Sequence, residues 1–166
     1  MKKLSTVLAG ALLVVGFSTS YAQSTASAEA SAKIVEPLQI TKTADLKFGN
    51  IAAGPTAGQV DMSISDVRTA TGGVTLIAAG NVSNAAAFDI IGAPDASFTI
   101  SLPSSILIAS GANDMVVDNF VSSLGATSAL DATGAASLKV GASLNVGANQ
   151  AVGLYTGTFD VTVAYN

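Results

Sequence analysis

The sequence predicts an all-β protein, an antiparallel β-sandwich of about ten strands, and three observations carry that prediction. Apolar and polar residues alternate with a period of two along successive segments. Turn-forming residues separate these segments at intervals of roughly 8 to 15 residues, and no stretch has the spacing of an amphipathic helix. The last segment, Gly153 to Asn166 (GLYTGTFDVTVAYN), places Tyr155, Phe159, Val161, Val163 and Tyr165 on odd positions and Thr156, Thr158, Asp160 and Thr162 between them. That is a strand with one dry face and one wet face. Because it lies at the end of the sequence, it is expected to dock between or beside strands made earlier.

The chain opens with Lys2 and Lys3, an apolar run from Leu4 to Phe17, and the small-residue pattern Ser20-Tyr21-Ala22. This is the layout of a secretory signal peptide over residues 1–22, cut before Gln23. The run is shorter than the roughly 20 residues needed to span a bilayer, so no membrane span is expected after its removal. The expected locations are therefore the periplasm, the cell surface or the medium. Of 166 residues, 144 remain, enough for one domain with its own core.

Two parts follow. Residues 23–33 are expected to be an N-terminal extension or edge strand, and residues 34–166 the sandwich. From Ala26 to Ile34 (ASAEASAKI), the residues Ala26, Ala28, Ala30, Ala32 and Ile34 share one parity while Ser27, Glu29, Ser31 and Lys33 share the other. This alternation is long enough for a strand, although alanine is a poor strand former. Pro37 then suits an edge.

Leu38 to Ile51 carries Leu38, Ile40, Leu46 and Phe48 on even positions, and Gly49, Gly54 and Pro55 are expected to turn the chain. Val60, Met62 and Ile64 form the next alternation. The stretch Thr69 to Gly73 (TATGG) reads as a turn before Val74 and Leu76. Phe88 to Leu102 reads as a hairpin folded over Ala93-Pro94-Asp95-Ala96, with Pro103 as its stop. Short strands are expected around Ile106 and Ile108 and over Met115 to Val121, then a loop over Ser122 to Gly134. Ser137 to Val146 (SLKVGASLNV) alternates through Leu138, Val140, Ala142, Leu144 and Val146.

Composition argues against catalysis. The chain has no histidine and no cysteine, which removes the commonest general base, the commonest transition-metal ligands and the strongest nucleophile. No enzyme activity, catalytic residue, metal or cofactor is expected. Asp114 and Asp118 lie close together, but without the alternating ligands and glycine of a calcium loop. After loss of Lys2 and Lys3, five basic residues face eleven acidic ones, and no basic cluster offers a nucleic acid a footing. Without cysteine, burial and strand pairing must carry the stability.

The stretches SAKIVEPLQITKTADLKFGNIAAG, TATGGVTL, SFTISLP and SLKVGASLNVGANQAVGLYTGTFDVTVAYN, in that order, resemble the bacterial secreted family known as domain of unknown function 4402. The ending is also similar, more distantly, to fimbrial subunits and spore coat protein U-like domains, with Gly153, Tyr155 and Tyr165 in the matching places. That likeness implies an immunoglobulin-like, pilin-like sandwich and, as partners, an export chaperone and usher. Many such domains carry a disulfide, for which this chain has no cysteine.

Two functions are open at this point. One is an exported structural or adhesive subunit, a homopolymer in which Ala26, Ala28, Ala30, Ala32 and Ile34 form a strand-donation interface with another copy. At about 0.8 kcal/mol per methyl, four alanines and one isoleucine supply only a few kcal/mol. The alternative is a monomeric secreted module that binds an extracellular glycan or protein through the loops Ala78 to Ala87 and Ser122 to Gly134.

Overall fold

The structure, a computed structural model, describes residues 23–80 and 82–166. The signal-peptide expectation lies outside the described residues. All regular structure among the described residues is strand: β1 (Gln39–Ala44), β2 (Ile51–Met62), β3 (Arg68–Leu76), β4 (Ala86–Ile91), β5 (Ser97–Ser101), β6 (Ser105–Ser110), β7 (Asn113–Ser122), β8 (Thr127–Ala129), β9 (Ala135–Val146) and β10 (Thr162–Tyr165). Every pairing is antiparallel.

The alternation over Ser137 to Val146 becomes the centre of the molecule. β9 pairs with three strands. Val140 faces both Ala86 and Ser122, and Leu144 faces both Val60 and Val117. A residue has one neighbour on each side, so β7 covers one edge of β9 while β4 and β2 divide the other between them. The division falls at Gly141, where a β-carbon would collide with the Met62 carbonyl oxygen. Beyond β4 lies β1, beyond β2 lies β3, and β6 extends β7, which gives a seven-stranded sheet.

β5 carries the second sheet, with β10 on one side and β8 on the other. Phe98 and Ile100 of β5 pack against Phe88 and Ile90 of β4 and Leu138 and Val140 of β9, and Leu130 closes the cluster. This is the sandwich core. A second cluster gathers Val60, Val117, Ala142, Leu144 and Val146, with Phe48, Ile51, Val74 and Ile106 packed against it. Each fully buried Leu or Ile contributes about 1.5–3 kcal/mol.

Several expectations are corrected. Phe88 to Leu102 is no hairpin: β4 pairs with β1 and β9, whereas β5 pairs with β10 and β8. The Pro94-Asp95 turn, with Asp95 at φ 58°, carries the chain from one sheet to the other. The closest hairpin is instead β6 with β7, joined by Gly111 and Ala112. Gly111 takes φ 62° at the first central position, which is the geometry of a type II′ turn.

Gly54, Pro55 and the TATGG stretch lie inside strands. β2 and β3 pair continuously except between Ala53 and Gly58, where four residues of β2 bulge opposite Gly73. Pro55 sits in that bulge, where no ladder hydrogen bond is lost. The turn itself is 63–67, with Asp66 at φ 63° and the Ser63 hydroxyl accepting the Ser65 and Val67 N–H groups.

Residues 23–37 belong to no strand and are exposed throughout, so the expected strand over Ala26 to Ile34 is not formed in the single chain. Alanine methyls bury too little apolar surface to fix the segment without a partner.

Candidate functional site

The candidate site is a set of strand edges together with the alternating segment before them. Ala26, Ala28, Ala30 and Ala32 are all exposed, and Ile34 is 96% exposed. Lys33, Ser31 and Glu29 supply the polar parity.

The terminal residues keep the predicted alternation but not the predicted regularity. Tyr155, Phe159, Val161, Val163 and Tyr165 are half-buried, and the residues between them are exposed. Regular pairing is confined to β10, in which Val163 faces Ile100 and Tyr165 faces Phe98. Upstream, Thr156 forms a single bridge with Ala109 of β6. The segment thus begins on the seven-stranded sheet and ends on the three-stranded one. Between the two attachments, residues 157–161 pair with no strand among the described residues.

Each half-buried aromatic is held by specific contacts. The Tyr155 hydroxyl donates to the Ala151 carbonyl at 2.8 Å and accepts from Gln150 Nε2 at 2.9 Å. The Phe159 ring meets Phe88 edge-on at 6.4 Å and tilts against Phe120 at 5.1 Å. The Tyr165 hydroxyl donates to the Glu36 carbonyl at 2.8 Å and accepts the Ala93 N–H at 2.7 Å.

The sheet edges differ in how open they are to a further strand. β1 carries Lys42 and a register irregularity before Ala44, two devices that discourage pairing. β3 carries the bulge, and its Arg68 guanidinium is committed to the carbonyls of Phe48 at 2.7 Å, Asn50 at 3.0 Å and Ile77 at 2.6 Å. β8 has three residues. β6 has neither bulge, proline nor charge, but its free side is met by Thr156 at Ala109. β10, four residues long, also has none of the three, and Asp160 is the one ionic group on its approach.

Parts of the loops considered for ligand binding are held by internal contacts. Asn84 Nδ2 donates to the Asp45 carbonyl at 2.6 Å, and Asn84 exchanges backbone hydrogen bonds with Lys47. Within Ser122 to Gly134 lies β8, paired with β5, followed by the core residue Leu130, so this stretch is partly strand. Asp131 closes the next turn. Its carboxylate accepts from the Thr133 hydroxyl and from the N–H groups of Ala135 and Thr133, which together hold its pKa below the ordinary value. The Lys139 ammonium, at 2.6 Å, and the Ala85 N–H lower Asp66 likewise, and Lys42 lowers Asp45.

A polar row on the outer face of the large sheet was not expected from the sequence. Ser143 Oγ donates to Asp61 Oδ1 at 2.5 Å, Asn145 Nδ2 donates to Asp118 Oδ2 at 2.9 Å, and Gln59 Nε2 donates to Asn145 Oδ1 at 3.2 Å. The polar parity of β9 was legible, but its partners depend on a register set by strands 27 to 86 residues away in sequence. Among the described residues no group of three or more His, Cys, Asp or Glu converges as a metal site would.

These features define a class: an antiparallel β-sandwich preceded by an exposed, alternating, unpaired segment. Residues 38–165 match the family model of Domain of unknown function (DUF4402), and the chain belongs to that family. No curated protein and no solved structure matches it.

Proposed function

We propose that the chain is an exported structural subunit of the bacterial cell surface, assembling through β-strand pairing and performing no catalysis. The observation that carries this reading is the coexistence of two features: an exposed segment with strand periodicity, Ala26 to Ile34, and a sandwich edge at β10 that carries no bulge, proline or charge. Backbone hydrogen bonds provide the affinity of such an addition and alternate side chains its register. The partner is another copy, with an export chaperone and usher guarding the edge before assembly.

Native mass spectrometry and electron microscopy of the exported chain test this. The intact chain should form oligomers or fibres, whereas a chain lacking residues 23–33 should remain folded and monomeric, since Ile34–Asn166 forms its own compact unit. An intact chain that stays monomeric, or a shortened chain that still assembles, contradicts the reading.

A further inference from the structure

We propose, resting on the strand-donation reading above, that the acceptor is the terminal segment Thr158 to Tyr165 of a second copy. The donor strand lies antiparallel to it, with Lys33 opposite Asp160.

Three independent features converge on this edge and this register. The first is the state of the edge. Phe159, Val161, Val163 and Tyr165 point inward yet are only half-buried, in contrast to the fully buried inward row of β9. The segment has β5 on one side of β10 and no strand among the described residues on the other. One more strand would cover the part of these side chains that is still exposed and pair the backbone of 158–161.

The second feature is side-chain matching. Both segments alternate with a period of two, so only registers that align apolar parity with apolar parity bury the right faces. Placing Lys33 opposite Asp160 does so: Ile34 meets Phe159, Ala32 meets Val161, Ala30 meets Val163 and Ala28 meets Tyr165. Small donor side chains then lie beside large acceptor ones, and the alanines become an advantage because bulkier anchors would crowd the row. Sliding the donor by two residues in one direction puts Ser31 opposite Asp160, and sliding by four in that direction puts Glu29 there, two like charges face to face. Among the parity-preserving antiparallel registers, one alone sets Lys33 directly against Asp160, and opposed charges at facing positions favour that pairing.

The third feature excludes the chain's own segment. The Glu36 carbonyl is held at the Tyr165 hydroxyl. In the proposed register Ile34 lies beside Phe159, six residues from Tyr165, about 20 Å along an extended strand. Two residues of chain from Glu36 to Ile34 reach at most about 7 Å. The donor must therefore come from another molecule.

The chain has no cysteine, so introduced ones report without interference. The full chain, passed through a bacterial export pathway, is made as separate single-cysteine variants. Ser31→Cys is mixed with Thr162→Cys, an opposed pair in the proposed register, and in parallel with Thr71→Cys on the open edge of β3. Directly facing strand residues are within disulfide reach. After mild oxidation the 31–162 mixture should give a linked heterodimer at several-fold higher yield than the 31–71 mixture. Lys33→Glu should reduce that yield roughly two- to fivefold, and adding Asp160→Lys on the acceptor should restore it. Preferential linkage to position 71 overturns this edge while leaving strand donation standing. Linkage at 162 that ignores both charge changes overturns the register. Chains that stay monomeric by native mass spectrometry and link at neither position overturn strand donation itself.

Discussion

The Tyr165 hydroxyl spans 129 residues of sequence to donate to the Glu36 carbonyl, and the same oxygen accepts the Ala93 N–H. The final strand thereby ties together the approach to β1 and the crossover from β4 to β5. Tyr165→Phe keeps the ring and removes both bonds, leaving the Ala93 N–H without its partner. The expected loss is about 1–2 kcal/mol, read as a lower urea midpoint at unchanged slope. Limited proteolysis should show faster cleavage between residues 34 and 38.

Gly141 marks the place where β9 exchanges β4 for β2 as its neighbour, and a β-carbon there meets the Met62 carbonyl oxygen. Gly141→Ala must push two paired backbones apart and should cost about 2–3 kcal/mol. Gly111→Ala is the informative comparison: nothing lies within 4 Å of its added carbon, and only the φ of 62° resists. That strain is about 1 kcal/mol. Chemical unfolding of both variants should show the larger loss at the residue whose backbone angles are ordinary.

What could be read from the sequence was whatever repeats locally. The parity of Leu138 to Val146 and of Tyr155 to Tyr165 is carried by each segment alone, and both survive in the structure. Pairing partners do not repeat locally. Phe88 and Phe98 lie on neighbouring segments either side of a Pro-Asp turn, the pattern of a hairpin, yet they enter one core cluster from two different sheets. Glycine misled in TATGG because a wide bulge and a turn use the same residue types. Alanine misled over Ala26 to Ile34, where the period is that of a strand but the burial needed to hold one is absent.

The acid limb of stability should depend on three exposed carboxylates. Asp131, Asp66 and Asp45 all have pKa values lowered in the folded chain: Asp131 chiefly by the Thr133 hydroxyl, Asp66 by Lys139 and Asp45 by Lys42. A carboxyl whose folded pKa is depressed adds stability that is fully present above its unfolded value, near pH 4, and is lost as pH falls through the folded one. With no histidine in the chain, Tm should be nearly flat between pH 5 and 8 and fall below about pH 4. Asp131→Asn should lower Tm at pH 7 and make the fall below pH 4 shallower. An unchanged acid limb in that variant would remove Asp131 from the account.

Phe98 and Phe159 occupy the same core but not the same depth. Phe98 is 0% exposed, whereas Phe159 is only partly buried between Phe88 and Phe120. Sequence parity alone assigns both the same cost on truncation. In the isolated chain Phe98→Ala should lose about 3–5 kcal/mol, and Phe159→Ala less, because its ring is only partly buried. Assembly should change that ranking. A donor strand laid along Thr158 to Tyr165 completes the burial of Phe159 and leaves Phe98 as it was. Phe159→Ala should therefore weaken the oligomer more than it weakens the fold, while Phe98→Ala should do the reverse. Urea unfolding of monomers and dilution-induced dissociation of oligomers separate the two effects. If both variants lose equal stability as monomers and dissociate at the same concentration, Phe159 is an ordinary core residue and the terminal edge has no partner.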